Sequence, residues 1–199
     1  MDNAKSYNLI ADAWDANRRG RGLDPILIEF EKYLPDHALI LDVGCGTGFP
    51  IDCYLTKQGH TVIGIDPAEK MIAKAKSLGL PNASFYQTDL LNYQSDVMFD
   101  AVVAFDSLFH IEHDKQKEIY PIIGSMLKPG GLFLFTHGLE DGSVVGDMFG
   151  QKFYSAALDK ESLLQCLKEA GFEIIWFYEH YKEKITGDRD LLALVKKIK

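Results

Sequence analysis

The chain has 199 residues, of which 47% are hydrophobic and 25% are charged, and its formal net charge is −8. This length and composition are typical of one globular domain that is large enough to bury a core without disulfides. The acidic balance argues against nucleic acid as a partner, because proteins that bind the phosphate backbone usually carry a basic face. No stretch is apolar enough to span a bilayer, which argues against a membrane protein.

The N-terminal sequence has neither the basic region nor the apolar stretch of an export signal, so we expect a cytoplasmic protein. The cysteines agree with a reducing compartment, because they are odd in number and lack CxxC spacing. They predict neither a zinc site nor a disulfide framework. These residues are Cys45, Cys53 and Cys166.

Helical spacing predicts two N-terminal helices, over 7–17 and 25–33, with Asp24 as the N-cap of the second. Three arginines form a basic cluster between them: Arg18, Arg19 and Arg21. We interpret this cluster as a solvated loop, with contact to an anionic substrate as the alternative.

Strand-like and helix-like segments then alternate, which predicts βαβ units on a parallel sheet. The predicted strands cover 38–43, 61–65, 83–87, 99–105 and 132–136. The predicted helices cover 50–58, 67–78, 114–127 and 159–171. Two final strands, 172–181 and 190–198, are joined by a short turn and must therefore be antiparallel to each other.

The segment 138–158 is long for a connection between a strand and a helix, and it contains glycines and several aromatic residues. Loops of this length are usually functional or disordered. The aromatic content favours a lid or a substrate wall, with an idle insertion as the alternative.

Residues 41–50, LDVGCGTGFP, run a buried strand into a turn with the pattern GxGxG. A side chain at Gly44, Gly46 or Gly48 would limit how closely a ligand approaches the backbone, or would restrict a turn that needs positive φ. The N–H groups of this turn and of the following helix N-terminus would face an acceptor group on the ligand. The turn predicts a site for a small polar cofactor.

Asp66 ends the second predicted strand, at the spacing from the glycines where an acid hydrogen-bonds the ribose hydroxyls of an adenosine ligand. A carboxylate that accepts from two hydroxyls favours a bare ribose over a 2′-phosphate. The combination of strand, glycines, helix and acid therefore predicts an adenosine-containing ligand. The alternative is a tight turn with a solvated Asp66.

The sequence resembles the class I S-adenosylmethionine-dependent methyltransferases over nearly its whole length. Five segments carry the resemblance in the family's order: LDVGCGTG at 41–48, VIGIDPAEKMIAKAK at 62–76, TDL at 88–90, FDAVVAFDSLFHI at 99–111 and LKPGGLFLFTH at 127–137. The dinucleotide fingerprint, by contrast, has a third glycine at the position of Phe49.

The resemblance implies a single Rossmann-like domain, a three-layer α/β sandwich around a mostly parallel seven-stranded sheet with an antiparallel C-terminal hairpin. In this fold the seventh strand lies antiparallel between the fifth and the sixth. We divide the domain 1–199 into four parts: an N-terminal helical cap (1–35), a cofactor-binding core (36–137), a lid or substrate loop (138–158) and a C-terminal helix and hairpin (159–199).

The resemblance also implies S-adenosylmethionine as the cofactor and S-adenosylhomocysteine as its product. The residues that would line the methionine portion are Asp42, Gly44, Cys45, Gly46 and Gly48. The residues that would hold the adenosine are Asp66 at the ribose, Pro67 and Met71 near the adenine, Asp89 at the adenine amino group and Leu90 on the ring. Phe105 and Asp106 would lie near the sulfonium, and Tyr7 and Trp14 would cover the cofactor.

Methyl transfer is an in-line displacement at a carbon bonded to a sulfonium, so the protein mainly has to align the nucleophile and exclude water. Alignment of this kind supplies roughly 7–11 kcal/mol in the best intramolecular cases. An oxygen or nitrogen acceptor can also need a base, for which the candidates are His110, His137 and Tyr154. His110 is the first choice because it closely follows the fourth strand. The other histidines are assigned to surfaces or helix starts: His37, His60, His113 and His180.

The acceptor is expected to be a small molecule with an oxygen, nitrogen or carbon nucleophile. Amino-methyltransferases of nucleic acid often carry a (D/N/S)PP(Y/F) run after the fourth strand, where this chain has FDSL at 105–108. Asp106 alone is too little for a metal site, so we predict no metal. We expect a monomer or a homodimer. The alternative functions are an NAD-dependent oxidoreductase and a cofactor-binding protein without turnover.

Overall fold

The computed structural model describes residues 2–198. In chain order its elements are α1 (Asn3–Arg21), α2 (Pro25–Glu31), β1 (Leu39–Val43), α3 (Ile51–Lys57), β2 (Thr61–Asp66), α4 (Glu69–Ser77), β3 (Ala83–Gln87), β4 (Phe99–Ala104), two 3-10 turns (Leu108–His110 and His113–Lys115), α5 (Gln116–Met126), β5 (Leu127–His137), β6 (Gly142–Met148), β7 (Gln151–Ala157), α6 (Lys160–Glu169), β8 (Phe172–Tyr181) and β9 (Arg189–Lys197).

Seven strands form one sheet in the order β3-β2-β1-β4-β5-β9-β8. The strands from β3 to β5 pair in parallel, and β9 pairs antiparallel with both β5 and β8. This confirms the predicted mostly parallel sheet and its antiparallel final strand. The strand order reverses between β1 and β4, and a ligand crevice is expected beyond the carboxyl ends of the strands at such a point.

Alternating side chains of β1 reach two separate cores, one on each face of the sheet. Leu41 packs with Ile119 of α5 on one face, and Ile40 packs with Leu27 of α2 and Leu55 of α3 on the other. All of these side chains are fully or almost fully buried. A strand covered on both faces is mostly apolar, which is why β1 and β4 are readable in the sequence despite Asp42 and Asp100.

The segment 138–158 is not the irregular loop expected from its length, because β6 and β7 pair as an antiparallel hairpin from Gly142 and Ala157 to Met148 and Gln151. Positive φ angles at Phe149 and Gly150 close the hairpin, as in the two-residue turns that match strand twist. The sequence signal was missed because the turn begins with an aromatic residue instead of asparagine or aspartate.

The hairpin is attached to the N-terminal helix. The Asn3 side chain donates to the Tyr154 carbonyl at 2.8 Å and accepts from the Tyr154 N–H at 2.9 Å, and the Ser6 hydroxyl donates to the Lys152 carbonyl at 2.8 Å. These bonds place β7 beside α1, above the carboxyl edge of the sheet.

The helix α1 is longer than predicted and changes the interpretation of the basic cluster. It continues to Arg21, so the three arginines occupy its last turns instead of a solvated loop. Basic residues at this end of a helix are favoured by the helix dipole. The strand β5 also begins earlier than predicted, at Leu127.

We expect Gly64→Ala to destabilise the fold by about 1–3 kcal/mol, because an added methyl group overpacks the contact between β2 and the glycine turn. A Cβ at Gly64 would lie 2.6 Å from Phe85 Cδ1 and 2.9 Å from Cys45 Sγ. Urea denaturation measures the change. Gly146→Ala, where nothing lies within 4 Å of the added carbon, is the matched control and should change stability little. Equal effects at the two positions would contradict the packing argument.

Candidate functional site

The glycine turn folds over the carboxyl end of β2. The N–H groups of Gly44 and Cys45 both donate to the Ile65 carbonyl, at 2.8 and 3.0 Å. Gly44 has φ +76°, and a Cβ there would collide with the side chain of Ser107, which follows β4. Glycine is needed at this position because both the left-handed backbone and the contact with Ser107 exclude a side chain.

A cavity of about 350 Å³ opens beside this turn. All but one of the predicted cofactor-binding residues line it: Tyr7, Trp14, Asp42, Gly44, Cys45, Gly46, Asp66, Pro67, Met71, Asp89, Leu90, Phe105 and Asp106. The exception is Gly48, whose Cβ position faces Leu78, Phe85 and Ala75. Gly48 therefore supports the turn from the side of α4 and does not border this first cavity.

Asp66 is buried at the cavity wall and is not the solvated acid of the alternative reading. One carboxylate oxygen accepts from the Gly46 N–H at 3.1 Å and the other accepts from the Ala68 N–H at 2.8 Å. Burial raises the pKa of Asp66 to about 6, although these two hydrogen bonds oppose the shift. Since a carboxylate oxygen has two acceptor sites, each oxygen can accept a further hydrogen bond from a ligand.

The first cavity is covered by side chains of α1. The rings of Tyr7 and Trp14 meet edge to face at 5.6 Å, and the Arg18 guanidinium lies 4.4 Å from the centre of the Trp14 ring. The Arg18 side chain is 17% exposed and makes a long contact of 3.5 Å with Asp106. Arg18 was interpreted as part of a solvated loop, with contact to an anionic substrate as the alternative, because the predicted helix ended before it; the structure places it at the cavity.

A partly buried ion pair fixes Asp106 at the junction of β4, β5 and β9. Arg189 donates from Nε and Nη2 to the two oxygens of Asp106, both at 2.8 Å, and from Nη1 to Asp24 at 3.1 Å. The Asp106 N–H donates to the Thr136 hydroxyl at 2.8 Å. Asp106 has φ +58°, which is unusual for a residue with a side chain, and these bonds hold it there.

A second cavity, of about 820 Å³, adjoins the first. The two cavities share one wall, formed by Tyr7, Trp14, Arg18, Asp106, His110, Thr186 and Arg189. The far side of the second cavity is formed by the β6–β7 hairpin and by the end of β5. A ligand in one cavity could therefore meet a ligand in the other at the shared wall.

His110 lies in this shared wall and contacts three partners. Its Nδ1 is 2.8 Å from the Tyr154 carbonyl, which only accepts, and 2.9 Å from the Asn3 amide nitrogen, which only donates. We assign the proton to Nδ1, because the Asn3 amide already donates to the Tyr154 carbonyl at 2.8 Å. Its Nε2 is 2.8 Å from the Tyr7 hydroxyl and therefore accepts from it in the neutral ring. Burial lowers the pKa of His110, which favours this neutral form.

The other two candidate bases are placed differently. His137 lines only the second cavity; its Nδ1 lies 2.6 Å from the Gly138 carbonyl, and its buried Nε2 has no partner within residues 2–198. Burial lowers the pKa of His137 as well. Tyr154 borders neither large cavity, and its hydroxyl accepts from the His113 N–H at 3.1 Å. The structure therefore does not bring the three side chains together.

One of the remaining histidine assignments was wrong. His60 is not at the surface, because it is 3% exposed and its Nδ1 accepts from the Ala38 N–H at 3.1 Å. It braces the start of β1 from the loop before β2.

Within residues 2–198, no helix combines the length and the apolar character that a membrane crossing requires. In the same part of the chain, no group of three or more histidine, cysteine, aspartate or glutamate side chains is arranged to hold a metal ion.

Comparison with known proteins agrees with this geometry. Residues 40–131 match a family described as a methyltransferase domain. They include the glycine turn, Asp66 and the end of β4. The match spans a little under half of the chain and agrees with the resemblance of the sequence to the class I methyltransferases.

Individual relatives of the methyltransferase domain have different named activities. The chain is 29% identical, over 69% of its length, to an N,N-dimethyltransferase of dTDP-3-amino-3,4,6-trideoxy-α-D-glucopyranose from Streptomyces venezuelae. It is 30% identical, over 62% of its length, to the carboxy-S-adenosyl-L-methionine synthase of Campylobacter fetus. It covers 63% of the first relative and 55% of the second, so it spans less than two thirds of either.

A solved structure shows the same fold. An amino pentose methyltransferase from Micromonospora echinaspora, bound to S-adenosylmethionine, superposes with a TM-score of 0.70 at 21% identity. The similarity covers 94% of this chain and 97% of that chain. The shared fold therefore extends well beyond residues 40–131.

We expect Arg189→Ala to destabilise the fold by about 3–5 kcal/mol, because it leaves the buried Asp24 without a cation and Asp106 with only its long contact to Arg18. The stability of Arg189→Lys should lie between that of Arg189→Ala and that of the native protein. Lysine keeps the positive charge but cannot make the two parallel hydrogen bonds of a guanidinium. Chemical denaturation measures both. Lys182→Ala, which removes an exposed partner of Asp188, is the control and should cost no more than about 1 kcal/mol. A small change in stability on Arg189→Ala would contradict this role of the Arg189 ion pairs.

Proposed function

We propose that the chain binds S-adenosylmethionine in the first cavity and transfers its methyl group to a small molecule in the second. The observation that carries this proposal is the wall shared by the two cavities, which gives a cofactor and an acceptor one place to meet. The methyltransferase-domain match supports methyl transfer over the NAD-dependent oxidoreductase that the glycine turn and Asp66 also allowed.

The adenosine end is assigned to the side of the cavity formed by β2 and β3. Asp66 would accept from the ribose hydroxyls with the acceptor sites that Gly46 and Ala68 leave free. Pro67, Met71 and Leu90 offer apolar surface for the adenine, and Asp89 would accept from its amino group. The Asp89 carboxylate also accepts from the N–H and the side-chain amide of Asn92, at 3.0 and 2.8 Å, which orients it.

The methionine end is assigned to the glycine turn and to two side-chain donors, Thr47 and Arg18. The Thr47 hydroxyl is buried at the cavity and has no partner within residues 2–198. The Arg18 guanidinium has only its long contact with Asp106 and the Trp14 ring among the described residues. A ligand carboxylate would satisfy both donors, and buried donors without partners are costly.

The protein would accelerate transfer mainly by alignment. The shared wall would hold the methyl carbon between the sulfonium and the nucleophile, and the rings of Tyr7, Trp14 and Phe105 would exclude water there. The β6–β7 hairpin would act as the outer wall of the acceptor site. A small acceptor agrees with the volume of the second cavity, about 820 Å³, and with the net charge of −8. We also propose a cytoplasmic location and a monomer or homodimer.

His110 is proposed as the base for an acceptor that must lose a proton. It is the only candidate of the three that borders both cavities. The Tyr7 hydroxyl donates to His110 Nε2, so it lies between the acceptor and the base. Tyr7 would take a proton from the acceptor and pass its own hydroxyl proton to His110 Nε2. His137 is proposed to line the acceptor, and Tyr154 to anchor the hairpin.

A second candidate function is a protein that uses S-adenosylmethionine for other chemistry, or binds it without turnover. The similarity to a carboxy-S-adenosyl-L-methionine synthase supports this second candidate function. Methyl transfer from labelled S-adenosylmethionine to a member of a metabolite panel would support the first proposal. If the protein binds the cofactor and no member of a broad panel accepts the label, the second would be favoured.

We expect Asp66→Ala to weaken binding of S-adenosylhomocysteine by about 1–3 kcal/mol, because ribose hydroxyls lose a charged acceptor. Native affinity should also fall as the pH drops below about 6, where Asp66 becomes protonated. Titration calorimetry measures both effects, and NAD, the cofactor of the alternative function, is titrated for comparison. Asp147→Ala in the hairpin, whose partner Lys152 is exposed, is the control. Unchanged affinity in Asp66→Ala would show that the acid is misassigned.

We expect His110→Ala to lower kcat for an oxygen or nitrogen acceptor by at least about 10²-fold, with little change in cofactor affinity. The native rate should fall only when the pH drops below the usual range for histidine, because burial lowers the pKa of His110. His137→Ala should mainly raise KM for the acceptor. A larger loss of kcat in His137→Ala than in His110→Ala would reverse the two roles.

A further inference from the structure

The outer edge of the hairpin strand β7 is bound by side chains of α1. The Asn3 side chain pairs with both the N–H and the carbonyl of Tyr154, and the Ser6 hydroxyl donates to the Lys152 carbonyl. Alternate residues of a strand direct their backbone groups to the same side, so these bonds lie along one edge of β7. Asn3 and Ser6 therefore occupy the place that a third strand would take beside the hairpin.

Ring contacts strengthen the same junction. The Tyr7 ring of α1 meets the Phe153 ring of β7 edge to face at 4.7 Å between their centroids, and Phe153 is buried. The His110 ring lies 5.4 Å from the Tyr7 ring and contacts the Tyr154 carbonyl. Within residues 2–198, the hairpin pairs with no strand of the seven-stranded sheet. Side-chain contacts of this kind therefore position it.

The same helix is bound to the cofactor side of the molecule. The Asn8 side-chain oxygen accepts from the Lys70 N–H, in the first turn of α4, at 2.8 Å. Ala11 is buried in one cluster with Ala68, whose N–H donates to Asp66 at 2.8 Å. The helix α1 therefore joins the loop that positions Asp66 to the hairpin that walls the second cavity.

We propose that Asn3 and Ser6 are positioning residues for the acceptor site: they join β7 to the helix that covers the first cavity, so that binding of the cofactor fixes the hairpin wall of the second. This inference rests on the proposed placement of S-adenosylmethionine in the first cavity. A ligand there would contact side chains of α1 and would stabilise the state in which α1 is docked. The acceptor site would then be completed after the cofactor has bound.

The number of hydrogen bonds sets the size of the expected effect. Loss of one such bond changes an equilibrium by about two- to tenfold. Asn3→Leu removes both bonds with Tyr154 at nearly constant side-chain volume, and Ser6→Ala removes the bond with Lys152. The double variant Asn3→Leu/Ser6→Ala should therefore raise the population of the open hairpin by about tenfold or more.

Hydrogen–deuterium exchange of backbone amides tests the coupling, with S-adenosylhomocysteine as the ligand. In the native protein, saturating ligand should slow exchange in the glycine turn (44–48). It should also slow exchange in the hairpin (142–157), although none of these hairpin residues lines the first cavity. In the double variant the ligand should still slow exchange in the glycine turn, and the slowing in the hairpin should be lost.

Lys152→Ala is the matched control on the same strand. It removes an exposed ion pair with Asp147 and keeps the carbonyl that accepts from Ser6, so its hairpin should respond to the ligand as in the native protein. The change in exchange on ligand binding separates positioning from a purely structural role, because a less stable hairpin that remained coupled would still respond.

Two results would overturn the inference and leave the cofactor placement intact. The first is slowing in the glycine turn of the native protein without slowing in the hairpin. The second is a hairpin that responds to the ligand equally in the double variant and in the native protein. If the ligand slowed exchange in neither segment of the native protein, the proposed cofactor placement would itself fail.

A measurement without ligand then decides the inference. In the free protein, hairpin amides should exchange about tenfold or more faster in the double variant than in the native protein, while amides of β1 keep their native rates. Ser6→Ala alone, which removes one bond and lines neither large cavity, should accelerate hairpin exchange by about two- to tenfold. It covers the case in which the double variant does not fold. Native exchange rates in the hairpins of both variants would overturn the inference.

Discussion

The close approach of the glycine turn to β2 is the constraint on which the site depends. Two N–H groups of the turn share the Ile65 carbonyl, so the turn is part of the sheet edge and not a loop above it. Gly64 and Gly44 make this possible, one by leaving room for Phe85 and Cys45, the other by leaving room for Ser107. The same contact brings the Gly46 N–H to Asp66, so the acid and the turn are positioned together.

The second side of the site is held by charge. Arg189 at the start of β9 binds Asp106 after β4 and Asp24 at the N-cap of α2, which joins the antiparallel end of the sheet to the cofactor side. Such a pair is expensive to bury, so it is better evidence for a defined geometry than for stability. Asp106 has a left-handed backbone conformation, and the ion pair with Arg189 keeps its N–H turned toward the Thr136 hydroxyl.

The sequence was informative where local pattern and tertiary structure agree. The parallel strands, the final antiparallel strand and the lining of the first cavity were predicted because apolar runs, glycines and spaced acids each have a local cause. The role of Arg189 could not be predicted, because no local sequence pattern identifies Asp106, 83 positions away, as its partner. The hairpin was missed because Phe149 in a left-handed turn has no usual signal.

The charges at the first cavity explain why a cationic ligand would suit an acidic chain. The negative charge of Asp106 is already shared with Arg189, and Asp66 is partly satisfied by backbone N–H groups. Asp42 also lines this cavity, and no cation lies beside it within residues 2–198. Burial raises the pKa of Asp42, and a positive group on a ligand would favour its ionised form. The carboxylate near the end of β1 therefore suits a ligand that brings its own positive charge to the cavity.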